Sequence, residues 1–265
     1  MNLYANNFPE SGLGDRLCEI AMLSLYADLK GYESVYTCWV NYNLSLAHES
    51  VPKWRVEDTR LKNLQQHIKL PTNVRFDIPP QGCDTFPFPL GKGRVDLQDF
   101  CATWMGGSCK PENIKTEVNH VRSRFAFTNV DSFNLPYVGV HVRRTDKIRP
   151  AKVCDYIVPE NRLEELNNNT RAQIDKAIQN NQTNFFLCTD DDQSLLTFIK
   201  HIHLAGGTVL SFPIANKWKS TYSDLACLSR ANLILQSCDS SAFSNFAAFL
   251  GGCPIINCLN IKNTS

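Results

Sequence analysis

The sequence predicts an α/β protein built from two doubly wound, Rossmann-like halves. Short apolar strands alternate with amphipathic helices along most of the 265 residues, which is typical of parallel sheets covered by helices. The chain also opens in the order strand, glycine-containing loop, helix and strand, as Rossmann units do. We place the boundary at the end of a linker over 129–136, so the predicted domains are residues 1–135 and 136–265.

In the first half, a loop with two glycines precedes the first helix. Backbone amides near Gly12 and Gly14 can bind a ligand at the helix N-terminus, although such glycines can equally serve the chain reversal alone. The irregular segment 48–107 is rich in proline, glycine and aromatic residues and suits a substrate surface beside a cleft. The predicted elements are strands at 2–6, 35–40 and 74–78, a helix that follows the loop at 8–14 and runs to about residue 30, and a helix at 110–124. The first helix is predicted to end at Gly31.

The second half alternates strand and helix throughout, which predicts a second parallel sheet. Its first strand has valine at every other position and then runs into two adjacent arginines, Arg143 and Arg144. The predicted strands begin at 137 and span 185–188, 208–212, 233–235 and 254–258, and the predicted helices span 160–180, 194–203, 224–231 and 243–250.

Composition argues against several classes of function. The formal net charge is +1, so we do not expect a nucleic-acid-binding protein. No apolar run is long enough for a membrane span, and because the first strand is predicted to begin at Met1 we expect no signal peptide. Many of the eleven cysteines lie in apolar stretches and none has zinc spacing, so we expect buried free thiols in a reducing, cytoplasmic compartment.

Three polar clusters follow predicted strands of the second half, at 141–147, 189–192 and 237–241. Because parallel strands place their carboxyl ends at one edge of a sheet, we expect the clusters to converge there. Arginine and lysine side chains can bind a diphosphate, carboxylates can accept hydrogen bonds from a base or a ribose, and hydroxyl groups can bind phosphate oxygens at a helix N-terminus. The sequence therefore predicts a nucleotide-sugar site formed by Arg143, Arg144, Lys147, Asp190, Asp191, Ser240 and Ser241.

Each cluster also has a purely structural interpretation, which the sequence leaves open. The arginines can pair with nearby carboxylates, and the acidic residues and serines can cap the helices that follow them. His141, on a buried strand, can be a hydrogen-bonded core histidine. The D-x-D sequence at Asp190–Asp192 can hold Mg²⁺ or Mn²⁺, as in metal-dependent transferases of the GT-A type. The alternative that is not an enzyme is a module that binds a sugar or a nucleotide without catalysis.

Four segments resemble the fucosyltransferase superfamily, in particular the α1,6-fucosyltransferases and the nodulation-factor enzymes. They are SGLGDRL at 11–17, HVRRTDK at 141–147, FFLCTDD at 185–191 and the segment 223–252. The resemblance implies a GT-B architecture, in which two Rossmann-like domains face each other across a cleft. The C-terminal half would bind the nucleotide sugar, with GDP-fucose as first choice, and the N-terminal half would hold a glycan or glycoprotein acceptor.

The resemblance further implies transfer with inversion and without a metal or another cofactor. Carried over by position, Arg143 and Arg144 would hold the diphosphate, and the donor site would be lined by His141, Asp190, Asp191, Asp224 and Ser240. In the α1,6-fucosyltransferases an acidic residue lies four residues after the lysine of the motif and is a candidate base.

The sequence departs from this pattern in two respects. Ala151 stands where the candidate base of the α1,6-fucosyltransferases lies, so we expect the base to come from the N-terminal half. Asp15 is our candidate, although a carboxylate there can simply stabilise the first turn of a helix. The chain is also short for the family, which leaves a UDP-pentose such as UDP-xylose as an alternative donor.

Overall fold

The computed structural model describes residues 1–5, 12–37, 58–77, 79–87, 111–128, 130, 133–144, 148–149, 158–159, 162–211, 217–238 and 241–259. Within it the chain forms two compact units that divide between Asn129 and Val130. This division falls inside the predicted linker, a few residues before the predicted boundary.

The first unit contains a four-stranded parallel sheet. In chain order its elements are β1 (Asn2–Ala5), α1 (Leu13–Lys30), β2 (Ser34–Thr37), α2 (Asp58–His67), β3 (Ile68–Lys69), β4 (Val74–Arg75), β5 (Asp84–Thr85), α3 (Pro111–Ser123) and β6 (Ala126–Phe127). The strand order is β4-β2-β1-β5, and β3 and β6 form a separate antiparallel pair. The chain therefore moves outward from β1 through β2 to β4 and then returns to the other side of β1 to form β5, as in a Rossmann unit.

Helix α1 is the main buried helix of the first unit. Leu17, Ile20 and Leu25 are almost fully buried. The helix ends as predicted at Gly31, which adopts the left-handed conformation (φ 74°) and donates its N–H to the carbonyl oxygens of Ala27 and Asp28.

The second unit contains a five-stranded parallel sheet. Its elements are β7 (Val138–Val142), β8 (Ile148–Arg149), β9 (Val158–Pro159), α4 (Leu163–Gln179), β10 (Asn184–Thr189), α5 (Asp192–Leu204), β11 (Thr208–Leu210), α6 (Lys217–Arg230), β12 (Leu233–Ser237), α7 (Ala242–Gly251) and β13 (Ile255–Asn257). The strand order is β11-β10-β7-β12-β13, and all pairs are parallel. The direction of winding reverses between β7 and β12, and ligands of such sheets bind outside the carboxyl ends of the strands at this point.

The valine alternation of β7 reflects two different faces of this sheet. Val138, Val140 and Val142 are fully buried in one core with side chains from α4 and α5. On the opposite face, a Cβ atom at Gly139 would lie 2.9 Å from Leu228 Cδ2 and 3.3 Å from Ala231 Cβ, so α6 approaches the strand closely there. Glycine at this position allows α6 to pack directly against β7.

The two-unit α/β fold that the sequence predicts is confirmed, and the predicted elements match the observed ones closely. Some elements differ. Helix α6 begins at Lys217 and not at Asp224, and β5, which pairs with β1 through Leu3 and Asp84, has no counterpart in the prediction. The two-residue strands β3, β6, β8 and β9 have none either, and α2 lies in the segment predicted only as irregular. The last three residues of the predicted strand 35–40 lie outside the described residues. The cleft between the halves stays a prediction.

Candidate functional site

The carboxyl ends of β7 and β12 lie side by side in the second unit. His141 pairs with Gln236, and Val142 pairs with Ser237, in parallel register. Beyond these pairs, β7 leads into Arg143 and Arg144, and β12 leads towards Ser241, the N-cap residue of α7. Two of the three predicted polar clusters therefore follow neighbouring strands at the point where the winding of the sheet reverses.

Arg144 is an internal residue of this edge. Its residue surface is 6% exposed, and its guanidinium group donates to the carbonyl oxygen of Ser237 and, at 2.8 Å, to the Ser237 hydroxyl. The same group donates to Asn167 Oδ1 on α4 at 2.9 Å. Burial lowers the pKa of Arg144, while the carboxylates of Asp190 and Asp191 act in the opposite direction. Arg144 thus ties the end of β12 to α4.

This geometry gives Arg144 a structural role, and the prediction that Arg143 and Arg144 together hold a diphosphate stays a prediction. The two terminal nitrogens of the Arg144 guanidinium group donate to protein acceptors, and Thr170 extends the network with its hydroxyl 2.8 Å from Ser237 Oγ. The Nε of Arg144 is buried and has no hydrogen-bond partner among the described residues. Arg143, by contrast, is only half-buried. Two adjacent residues after a strand point to opposite sides of the sheet, so one of them faces the core.

The acidic cluster after β10 also has structural roles. Asp190 Oδ1 accepts the backbone N–H of Arg144 at 2.7 Å and so fixes the path of the chain after β7. Asp191 is the N-cap of α5, because its Oδ2 accepts the backbone N–H of Ser194 at 2.8 Å. Hydrogen bonds from Ser194 lower the pKa of Asp191. The capping alternative considered for this cluster therefore applies to Asp191.

A row of polar side chains crosses the α6 and α7 face of the sheet. Cys188 on β10, His141 on β7, Gln236 on β12 and Asn257 on β13 are cross-strand neighbours in one register line. His141 is 5% exposed and Gln236 is 3% exposed. Polar groups buried in a sheet core need hydrogen-bond partners, and α6 and α7 supply them.

His141 is held beneath the start of α7. Its Nδ1 lies 2.9 Å from Ser244 Oγ, and its ring lies 5.5 Å from that of Phe243. The core-histidine interpretation therefore describes its environment, and His141 supports α7 from below.

Asp224 lies on α6 at the other end of the row. The buried Cys188 thiol donates a hydrogen bond to the Asp224 carboxylate, and burial together with this carboxylate raises the pKa of Cys188 well above its ordinary value. Asp224 itself is partly exposed. Asp224, which the resemblance assigns to the donor site, therefore has its carboxylate near the carboxyl end of β10.

The start of α7 has an unusual cap. Ser241 has the extended backbone of an N-cap residue, yet its side chain makes no capping hydrogen bond. Its hydroxyl is buried and has no partner within the part of the chain that the structure describes. An unsatisfied buried hydroxyl at a helix N-terminus, where backbone N–H groups also lack intrahelical partners, favours an anion at this place.

Four residues that sequence analysis did not single out contribute to this edge: Asn167, Thr170, Gln236 and Ser244. The first two partner Arg144 or Ser237 from α4, and the other two hold His141 and the start of α7. Gln236 interrupts the apolar sequence of β12, and a polar residue within a buried strand was the available signal.

A pocket of about 440 Å³ opens on the opposite face of the same sheet, between α4 and α5. Its lining includes Arg144, Asn167, Asp191, Ser194 and Phe198. Both charged members are engaged within the protein, Arg144 with Ser237 and Asp191 with Ser194.

The predicted residues of the first unit lie at the start of α1. Gly12 is its N-cap, Gly14 belongs to the helix itself and not to the loop, and Asp15 is an acidic residue of the first turn. This position is the one that the helix-charge interpretation of Asp15 requires. Lys147, Ala151 and Ser240 lie outside the described residues.

Three further findings bear on metals, membranes and thiols. Within the described ranges, no group of three or more His, Cys, Asp or Glu side chains could hold a metal ion. Over those same ranges, no helix combines the length and apolar character that a bilayer crossing requires. Cys188, Cys227 and Cys258 are buried free thiols, as predicted.

Comparison with models of protein families and with curated proteins finds no match. Among solved structures, the chain is similar to NodZ α1,6-fucosyltransferase co-crystallized with GDP, at 17% identity and a TM-score of 0.49 over 94% of this chain and 92% of that one. It is similar to fucosyltransferase NodZ from Bradyrhizobium at 15% identity and a TM-score of 0.47, over 94% and 93%. It is also similar to POFUT1 in complex with GDP-fucose, at 11% identity and a TM-score of 0.49, over 96% and 95%.

Proposed function

We propose that this chain is a glycosyltransferase that moves a sugar from a nucleotide diphosphate sugar, with GDP-fucose as first choice, to a hydroxyl group of a glycan or glycoprotein. The observation that carries the proposal is the carboxyl edge at β7 and β12. There Arg143 follows one strand and the N-terminus of α7 follows its neighbour, at the reversal point of a Rossmann-ordered sheet. Within the described part of the chain, the Ser241 hydroxyl at this N-terminus has no hydrogen-bond partner.

The diphosphate would bind between Arg143 and the first turn of α7. Backbone N–H groups and the positive end of the helix dipole favour an anion at this turn, and the Ser241 hydroxyl is available as a further donor. As the glycosidic bond breaks, negative charge builds on the bridging oxygen. A guanidinium group can stabilise that charge with directed N–H bonds.

Asp224 supports guanine as the base. A guanine edge offers adjacent N1–H and N2–H donors, which one carboxylate can accept together, whereas uracil offers only its N3–H. The Asp224 carboxylate lies beside the Cys188 thiol, near the carboxyl end of β10. UDP-xylose is the alternative donor, and Asp224→Asn should then leave the preference between GDP and UDP unchanged.

The reaction we propose is a single displacement with inversion. The acceptor oxygen attacks the anomeric carbon, the bond from that carbon to the β-phosphate oxygen breaks, and the nucleotide diphosphate leaves. A base takes the proton of the acceptor hydroxyl. Asp15, on the first turn of α1, is our candidate for this base. Near-normal turnover of Asp15→Asn would mean that Asp15 is not the base and only stabilises the first turn of α1.

We further propose that the transfer needs no metal, because Arg143 and a helix N-terminus already supply positive charge. The D-x-D sequence offers little support for the metal-dependent alternative, since Asp190 holds the Arg144 backbone. The buried free thiols are compatible with a reducing, cytoplasmic compartment.

The test is a transfer assay with GDP-fucose and a glycan acceptor mixture, with and without excess EDTA. We expect release of GDP and a fucosylated product at equal rates in both conditions. Activity that is lost with EDTA and restored by Mn²⁺ would support the metal-dependent alternative. Tight nucleotide binding without hydrolysis or transfer would support the noncatalytic module.

A further inference from the structure

Gln236 makes contacts that the proposed roles of Arg143, Asp224 and Ser241 do not account for. Its side-chain nitrogen, Nε2, lies 2.7 Å from Ser244 Oγ, 3.1 Å from Asn245 Oδ1 and 3.3 Å from the Ser241 carbonyl oxygen. These three residues are the N-cap and two members of the first turn of α7. One buried amide on β12 therefore holds the whole beginning of the helix.

The orientation of this amide is determined by a chain of hydrogen bonds. The backbone N–H of Leu259 donates to Asn257 Oδ1 at 2.9 Å, so Asn257 must present its NH₂ group to its other neighbour. That neighbour is Gln236 Oε1, at 3.2 Å. With its oxygen turned towards Asn257, Gln236 directs its NH₂ group at α7, where the Ser241 carbonyl oxygen can only accept.

At the start of α7, one residue orders the first turn and a different residue supplies the hydroxyl group at the N-cap. An N-cap serine normally orders the first turn by accepting a backbone N–H with its own hydroxyl. Ser241 makes no such bond, and its buried hydroxyl is left without a partner among the described residues. Gln236 orders the turn from beneath, so the Ser241 hydroxyl and the backbone N–H groups of the turn stay available to a ligand.

We propose that Gln236 is a positioning residue for the diphosphate of the nucleotide sugar. It fixes the first turn of α7 against β12, so that the N–H and hydroxyl groups of that turn point at the phosphate oxygens. This inference rests on the proposed function. It assigns Gln236 to the diphosphate part of the donor and not to the base.

The test compares nucleotide and nucleoside affinities of the full chain by calorimetry. Gln236→Met keeps the length of the side chain but removes its hydrogen bonds. We expect its affinity for GDP to fall about tenfold, as for loss of one hydrogen bond to a charged group, and its affinity for guanosine to change less than about twofold. UDP and uridine are measured in parallel in case uracil is the base.

The matched control is Ile174→Val, a core substitution on α4 at the opposite face of the sheet. It should lower the melting temperature without changing the ratio of GDP to guanosine affinity. If Gln236→Met does not fold, Asn257→Ala takes its place. It releases Gln236 Oε1, and we expect a GDP loss of about threefold with guanosine unchanged.

Equal losses for GDP and guanosine, or an unchanged GDP affinity, would overturn the positioning role while leaving the proposed function intact. A selective loss of GDP affinity in Ile174→Val would also overturn it, because reduced stability alone would then explain the effect. A wild-type chain that binds neither GDP nor UDP would overturn the proposed function and this inference together.

Discussion

Arg143 and Arg144 are the same residue type at adjacent positions, yet their surroundings differ. Arg144 is buried and donates to Ser237 and Asn167, whereas Arg143 is half-buried at the carboxyl end of β7. The letters RR after a strand identify a cationic cluster, but they do not show which arginine faces the core. That distinction depends on acceptors that lie 23 and 93 residues further along the chain.

Lysine substitutions at these two positions should therefore have different effects. Arg143→Lys should lower kcat by about 10²–10³ at an unchanged melting temperature, because a point charge replaces directed N–H bonds to developing charge. Arg144→Lys should instead destabilise the fold by about 1–3 kcal/mol, because a lysine cannot reach the acceptors on both Ser237 and Asn167. Turnover and thermal unfolding of both variants check this.

Each arginine variant serves as the control for the other. A normal melting temperature for Arg144→Lys together with a large loss of kcat would show that Arg144 contacts the diphosphate after all. Normal kcat in Arg143→Lys would remove the arginine from the proposed mechanism.

Asp191 should contribute to the loss of stability of the folded chain at low pH. Its pKa is lowered in the folded chain by the hydrogen bonds from Ser194, so its contribution to the free energy of unfolding is present above its ordinary pKa and is lost as pH falls through the lowered value. Asp191→Ala should cost about 1 kcal/mol at neutral pH through loss of the cap. Asp191→Asn should keep most of the cap and flatten the decline in stability below about pH 4.

Chemical denaturation at a series of pH values measures both variants. An acid decline in Asp191→Asn as steep as that of the wild type would mean that other carboxylates account for it, and that Asp191 titrates alike in the folded and unfolded chains.

At the scale of elements, α7 is fixed at both ends. Gln236 holds its first turn, and at its last residue the chain passes so close to α6 that a Cβ atom on Gly251 would overlap the backbone carbonyl oxygen of Ser229. A backbone atom cannot move aside as a side chain can, so glycine is needed at this crossing. The position of α7 over the sheet is thus set by contacts that leave little freedom.

Gly251→Ala should destabilise the chain by about 1–3 kcal/mol and weaken nucleotide binding, because relief of the overlap requires α7 to shift. Ile174→Val is the control for lost stability, because this core residue lies on α4 at the opposite face of the sheet. We expect both variants to melt at a lower temperature and only Gly251→Ala to bind nucleotide more weakly, which thermal unfolding and nucleotide titration measure. A melting temperature of Gly251→Ala equal to that of the wild type would show that α6 and α7 separate without cost.

Elements with a strong local signal could be predicted from the sequence. The apolar face and glycine end of α1 and the alternating valines of β7 are patterns that hydrophobic burial and turn geometry produce directly. Strand β5 could not be predicted, because its two residues, Asp84 and Thr85, are polar and exposed. They are placed by pairing with β1 and by the Tyr32 hydroxyl, which donates to Asp84 Oδ2 at 3.0 Å. The early start of α6 was missed because Lys217–Ser220 has little apolar periodicity.

The candidate site shows the same division. Its location after β7, β10 and β12 follows from the parallel order of strands, which the sequence indicates. The assignment of single residues does not follow. Asp190 holds a backbone N–H, Asp191 caps α5 and Gln236 holds α7 because of distant partners. Such roles depend on tertiary contacts, so local sequence contains only the residue type.

At the scale of the whole molecule, the two units repeat one strand arrangement. In each, the first strand lies between the second and the fourth of its parallel sheet. At its reversal point the second unit adds a cationic residue and a helix N-terminus whose Ser241 hydroxyl has no partner among the described residues. The net charge of the chain is only +1. Positive potential for a diphosphate must therefore come from local groups and not from the overall charge.

The most direct test of this account is the thermal unfolding of the full chain with GDP, UDP, GDP-fucose and UDP-xylose. A ligand at a hundred times its dissociation constant should add about 2.7 kcal/mol to the free energy of unfolding. We predict such an increase in stability with GDP and GDP-fucose and a smaller one with the uridine nucleotides. The increase with GDP should be lost in Arg143→Ala. No shift with any of the four compounds would contradict the assignment of a nucleotide-sugar site to the edge formed by β7, β12 and α7.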